Sequence, residues 1–151
     1  QMKNKRYNII IVMSEFNGTI TDGLLRGAKE AFNDNNGKTL TIIKVPGAFE
    51  IPATIKKVAS KLKPDAIVTL GAIIKGETKH FDFISAECTR AIQNLTLEFD
   101  MPIMFGVLTT ENVDQAIERS TINNKGHEVM DAAFKMIKVV EDINLENNEG
   151  L

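Results

Sequence analysis

The residues between Gly71 and Phe83 gather the groups of this chain most able to do acid–base and anion-binding chemistry. Gly71 and Gly76 let backbone approach a ligand closely, while Lys75, Lys79, Glu77 and Asp82 supply charge of both signs. His80 adds an imidazole, the side chain whose ordinary titration range spans neutral pH. Backbone amides here, near the start of a helix, suit an anion. Between Lys79 and Phe81, His80 is either a proton-transfer group or a solvated or capping residue. Asp82 either orients that imidazole or caps the helix behind it.

Other candidates stand further along the chain. Phe16 and Phe49 fall in turns, where a large ring either stacks on a planar ligand or seals the domain edge. Glu50, between apolar neighbours, can accept hydrogen bonds from hydroxyls or simply place a charge at a helix start. Arg119 and Lys125 are anion holders or solvated surface cations. His127 reads as a surface residue, and Cys88, on the apolar side of its helix, as a buried structural thiol. No metal-ligand cluster, phosphate-binding lysine loop or Gly-x-Gly-x-x-Gly appears, so neither a metal nor a cofactor is expected.

The elements that must hold these groups alternate in type. Strands are expected at Tyr7–Met13, Thr39–Val45, Ala66–Leu70 and Ile103–Leu108, each apolar and β-branched. Helical spacing marks Leu24, Ala28, Ala31 and Phe32, from about Thr19 to Asn35, and then Ile55, Val58, Ala59 and Leu62. It returns at Ile84, Cys88, Ile92, Leu95 and Phe99, at Ala116 and Ile117 behind a cap at Thr110 or Asn112, and at Val129, Ala133, Ile137, Val140 and Ile143. Without a hairpin signal, this order predicts an α/β fold: a single domain with a four-stranded parallel sheet and helices on both faces, three layers in all. Right-handed crossovers then bring Phe16-Asn17, Ala48-Phe49-Glu50, Ala72 to His80 and Thr109-Thr110 to one sheet edge.

The 151 residues suit one domain over the whole chain, with residues 1–6 and 146–151 as flexible ends; Gln1 ahead of Met2 reads as an added residue. With 43% apolar and 25% charged residues, the composition is that of an ordinary globular protein. A net charge of −2 supplies no field for nucleic acid, and no apolar run has membrane-span length. A single cysteine excludes an internal disulfide and fits the cytoplasm.

Several blocks together resemble the lumazine synthases, the enzymes of the penultimate step of riboflavin biosynthesis. They are Glu15-Phe16-Asn17, Val45 through Pro52, Gly71 through His80, Phe105 through Asn112, Gln115 through Arg119, and Asn124-Lys125-Gly126, in that order. The resemblance covers about Tyr7 to Ile143. It implies condensation of 5-amino-6-(D-ribitylamino)uracil with 3,4-dihydroxy-2-butanone 4-phosphate to give 6,7-dimethyl-8-ribityllumazine, phosphate and water. By the same resemblance, Phe16 stacks on the pyrimidine, Ala48, Phe49 and Glu50 hold the ribityl chain, and Ala72, Ile73 and Ile74 meet the heterocycle through backbone. Gly76, Glu77 and Thr78 with Arg119 would hold phosphate, and His80 would shuttle protons. Phe105, Arg119 and Lys125 would come from a neighbouring copy in a homopentamer. The resemblance leaves a sixty-subunit shell open, with riboflavin synthase as a candidate partner.

Lys75 stands where many relatives carry arginine, which retains the charge without the planar fork. The extra N-terminal strand of many relatives is expected to be missing, and the 119–125 segment is short. Both features bear on shell closure. Two rivals are an archaeal-type riboflavin synthase and a binding module that has lost turnover. Phe49-Glu50 and the loop ending in His80 argue against the first; retained His80 and Arg119 argue against the second.

Overall fold

A computed structural model describes residues 5–148, with side chains described as far as Leu145; of the ends expected to be flexible, 1–4 and 149–151 lie outside the described residues, whereas 146–148 continue the last helix and Arg6 donates to Asn36 O and Gly37 O. Strand and helix alternate as β1 (Asn8–Ser14), α1 (Gly18–Asp34), β2 (Thr39–Val45), α2 (Ile51–Lys61), β3 (Ala66–Ile74) and α3 (His80–Glu98). Then come β4 (Ile103–Met104), β5 (Val107–Thr110), α4 (Val113–Arg119) and α5 (Lys125–Asn148). All pairings are parallel, in the order β2-β1-β3-β4, with β5 also on β3. The nearly continuous burial of β1 and β3 is what central strands of a doubly covered sheet require.

Alternation along the strands divides the core into two layers. Ile9, Ile11 and Met13 of β1, with Ala66, Val68 and Leu70 of β3, pack under α1, α4 and α5. Ile10 and Val12, with Ile67 and Ile73, pack under α2 and α3. The expected three-layer architecture is therefore present. On the first face α1 and α5 approach so closely that a Cβ at Gly126 would run into the carbonyl of Leu24.

Three local readings change. β3 does not stop at Leu70: Gly71–Ile74 remain in the sheet because β5 pairs with them, in register from Gly71–Val107 to Ile74–Thr110. The connection shrinks to Lys75–Lys79, and His80 is the first residue of α3 rather than part of a loop. Asp82 lies in the first turn of α3, not at its cap, which is Lys79 without a side-chain cap bond.

The expected strand Ile103–Leu108 is broken at Phe105–Gly106, which accounts for a fifth strand. The fully buried Thr69 explains the break. Its hydroxyl donates to Met104 O at 2.9 Å and accepts from Gly106 N at 3.0 Å, in place of direct ladder bonds. Register is the same on both sides, Val68–Met104 and Gly71–Val107, so two residues leave the ladder without an insertion. Of the two capping candidates for α4, Asn112 does the work, its Oδ1 accepting from Gln115 N at 2.9 Å.

Candidate active site

The site follows from unequal strand lengths. β1 leaves β3 at Met13–Leu70, whereas β3 continues to Ile74. Gly71 and Lys75 turn their N–H groups toward β5, donating to Gly106 O and Thr110 O. By strand alternation, Ala72 and Ile74 turn their N–H and C=O groups the other way, where β1 has ended. A strip of peptide groups is thus left free beside the loops that follow β1 and β2.

Those loops close a cavity of about 620 Å³ against the strip. After β1, Asn17 adopts the left-handed conformation (φ 62°), which turns the chain into α1. After β2, Ala48–Glu50 form a single 3-10 turn ahead of α2. Phe16 and Phe49 are 68% and 69% exposed, so neither ring seals the core; both line the cavity. Cys88, buried on α3, donates to Ala48 O at 3.6 Å and pins that turn from beneath. Burial pushes its thiol up to about 11, which suits an inert structural group.

The cavity brings together Phe16, Ala48, Phe49, Ala72, Ile73, Ile74, Gly76, Thr78 and His80. Glu50 stands at its rim, Oε1 lying 3.2 Å from where a Cβ on Gly47 would be. Glu77 is exposed in the Lys75–Lys79 connection. A Cβ on Gly76 would meet nothing within 4 Å, so this glycine faces open space. His80 N donates to Thr78 Oγ1 at 3.3 Å, which ties the imidazole-bearing helix start to the loop. Among the described residues, the lining contains no lysine, arginine or carboxylate.

Arg119, Lys125 and Phe105 lie elsewhere on the same chain. Arg119, at the end of α4, borders a separate cleft of about 710 Å³ between α1 and the α4–α5 connection. It donates to Glu128 Oε1 at 3.3 Å, and Lys125 donates to Glu128 Oε2 at 3.0 Å. The Lys125 hydrogen bond, with help from Arg119, holds the Glu128 carboxyl below its ordinary value against a smaller opposing effect of burial. One carboxylate therefore organises two cations. Phe105, half-buried at the strand break, rests on the α2–α3 face, while Met104 faces the other layer as alternation requires.

The sequence pattern of the 6,7-dimethyl-8-ribityllumazine synthases matches residues 6–141, nearly the whole chain. The chain belongs to that family. It is 46% identical over 139 residues to the 6,7-dimethyl-8-ribityllumazine synthase of Campylobacter jejuni subsp. doylei, covering 89% of this chain and 90% of the relative. It is similarly 46% identical over 139 residues to the enzyme so named from Nautilia profundicola, again 89% of this chain and 90% of the relative. With the one from Helicobacter hepaticus it shares 45% over 139 residues, 89% of each chain. As a lumazine synthase the chain is a transferase of riboflavin biosynthesis.

Asn17, Gly47, Phe81 and Ile84 also line the lumazine synthase cavity; the strand order places Asn17 at this edge, but the sequence assigns none of the four a ligand-binding role. Asn17 carried a signal: an asparagine before a glycine, between a strand and a helix, is a common left-handed turn residue. Phe81 and Ile84 carried only helical periodicity. Among the described residues no helix is long and apolar enough to cross a membrane.

Proposed function

We propose that the cavity condenses 5-amino-6-(D-ribitylamino)uracil with 3,4-dihydroxy-2-butanone 4-phosphate, and that each site is completed by a neighbouring copy in a homopentamer. The uracil stacks on Phe16 and reads the Ala72 N–H and the peptide groups of Ile74 beside Ile73. Ala48, Phe49 and Glu50 hold the ribityl chain, the carboxylate accepting from its hydroxyls. The phosphate lies against the amides of Gly76, Glu77 and Thr78 at the start of α3.

The observation that carries the shared-site reading is the absence of any lysine or arginine from the lining. A phosphate dianion moved from water into a largely apolar cavity needs a cation as well as amides. Arg119 of the next copy supplies it, with Lys125 and Phe105 from the same neighbour closing the pocket over the uracil. In this reading Glu128 keeps both cations together and leaves the pair with net positive charge.

The reaction itself asks for little covalent help. The 5-amino nitrogen adds to the butanone carbonyl and water leaves to form an imine. Loss of phosphate breaks the C–O bond and leaves an enol that tautomerises to a ketone; the ribitylamino nitrogen adds to that carbonyl, and a second water leaves as the second ring closes. His80, at the mouth of the cavity, carries protons to and from the carbonyl oxygen and the carbon chain; such transfer is worth about 10²–10⁴-fold. Holding both reactants in contact supplies much of the remainder. The setting proposed is the cytoplasm, which an unpaired buried thiol suits.

Steady-state turnover of the purified chain with the two substrates, followed by lumazine fluorescence, tests the reading. Sustained turnover that inorganic phosphate inhibits competitively against the butanone is expected. No turnover, or product formed from two lumazines alone, would refute it. Light scattering separates a pentamer from a sixty-subunit shell, and a fully active monomer would overturn the shared site.

A further inference from the structure

The side chain of Asn17 does something the reaction scheme leaves unassigned. Its Nδ2 donates to Ala72 O at 2.9 Å, spanning from the loop after β1 to the free edge of β3. Ala72 O can only accept, so the nitrogen of the carboxamide must face it. The residue directly before Asn17 is Phe16, the ring platform; Ala72 begins the strip of peptide groups opposite. Phe16 is itself held from below, its N donating to Ser14 Oγ at 3.1 Å. The backbone of Asn17 is left-handed, a conformation that strains an ordinary side chain and that asparagine tolerates. Asparagine therefore meets two demands at once: it turns the chain at a positive φ and returns a donor to the strand edge.

We infer that Asn17 is a positioning residue for the pyrimidine, acting through Ala72 and Phe16. The carboxamide sets the separation between the aromatic platform and the strand edge, the two walls of a slot for a flat heterocycle. It also occupies the Ala72 carbonyl. The ligand's donors and acceptors are then left with the Ala72 N–H and the Ile74 groups, which fixes one register along the strand. The phosphate end of the cavity, at Gly76 and Thr78, does not depend on this bond. The inference rests on the substrate reading above and adds a determinant of how the uracil half is held.

The test compares Asn17→Gly and Asn17→Asp with the unmodified enzyme. Glycine retains the positive φ without strain and removes the donor; aspartate retains size and left-handed tolerance but presents an oxygen to Ala72 O. Uracil KM is expected to rise about five- to tenfold in both variants, the range of a lost hydrogen bond on a binding surface. The butanone phosphate KM is expected to stay within about twofold, because a loosened slot wall does not reach the phosphate loop. A purely structural role would lower the thermal midpoint without separating the two substrates. Unchanged uracil KM in either folded variant, or equal rises in both KM values, would overturn the inference. If the unmodified enzyme shows no turnover, it is the substrate reading that fails. Should Asn17→Gly not fold, Asn17→Asp decides alone.

Discussion

Rings mixed from two crippled subunits put a number on the shared site. Phe16 lines the cavity, whereas Arg119 is outside it, held 3.3 Å from Glu128 beside a different cleft. Phe16→Ala removes a stacking surface worth about 1–3 kcal/mol per base, and so lowers kcat/KM about tenfold or more. Arg119→Ala removes charge-assisted bonds of about 1.5–3 kcal/mol, again about tenfold or more. In a closed ring with head-to-tail interfaces, a complete site needs intact Phe16 on one copy and intact Arg119 on the next. The Arg119→Ala subunit meets the first condition and the Phe16→Ala subunit the second. With equal, random incorporation each condition holds about half the time, so about a quarter of the sites are complete. Equimolar subunits, dissociated and reassociated together, should recover about a quarter of wild-type kcat/KM, measured with both substrates below their KM values. Recovery should fall off symmetrically as the mixing ratio departs from equality. Activity no higher than the mean of the two separate variants would refute the shared site, because a pocket complete within one chain cannot be repaired by its neighbour.

His80→Ala should lower kcat by about 10²–10⁴-fold and leave the thermal midpoint nearly unchanged, since His80 is exposed and its hydrogen bond to Thr78 is through its backbone N–H. Full activity in that variant would remove it from the proton path. Gly106→Ala would drive a Cβ into the Thr69 carbonyl and to 2.9 Å from Val129 Cγ2. A cost of about 1–3 kcal/mol, or roughly 2–12 °C in Tm, is expected by differential scanning calorimetry; a neutral outcome would show that the strand break relaxes freely. Burial raises the Cys88 thiol from 9.0 to about 11, and Tyr7 rises from 10.0 to about 12 through burial and its hydrogen bond to Glu141. Both folded-state values lie above the unfolded ones, so their stabilisation is complete below about pH 9 and is lost as pH rises through the folded values. Tm should therefore decline from about pH 9 to 12, and Cys88→Ala should flatten the first part of that decline; an unaltered slope would show that the thiol does not contribute.

Much of the architecture could be read along the chain because each element announces itself locally. The β-branched runs Asn8–Val12 and Ala66–Leu70, and the three-to-four spacing of Leu24, Ala28, Ala31 and Phe32, identify strand and helix without reference to anything distant. The misreadings occur where a partner remote in sequence decides the outcome. Gly71 looks like the end of a strand, but β5, more than thirty residues later, holds Gly71–Ile74 in the sheet. Phe105–Gly106 looks continuous with its neighbours until the hydroxyl of Thr69, 35 and 37 residues from its two bonding partners, takes over the ladder. No periodicity records either event.

The same distinction separates the two halves of the candidate site. Residues that line the cavity stand at the ends of successive strands, and parallel topology alone gathers them: Phe16 after β1, Phe49 after β2, and Gly76, Thr78 and His80 after β3. Arg119 and Lys125 obey no such rule. They are six positions apart at a helix end and a helix start, and what unites them is a carboxylate, Glu128, one turn further on. Two cations held by one acid make a preorganised pair beside a cleft separate from the cavity whose lining, among the described residues, holds no cation. In the proposed ring, head-to-tail association would bring the cation pair of one copy to the cavity of the next at every interface.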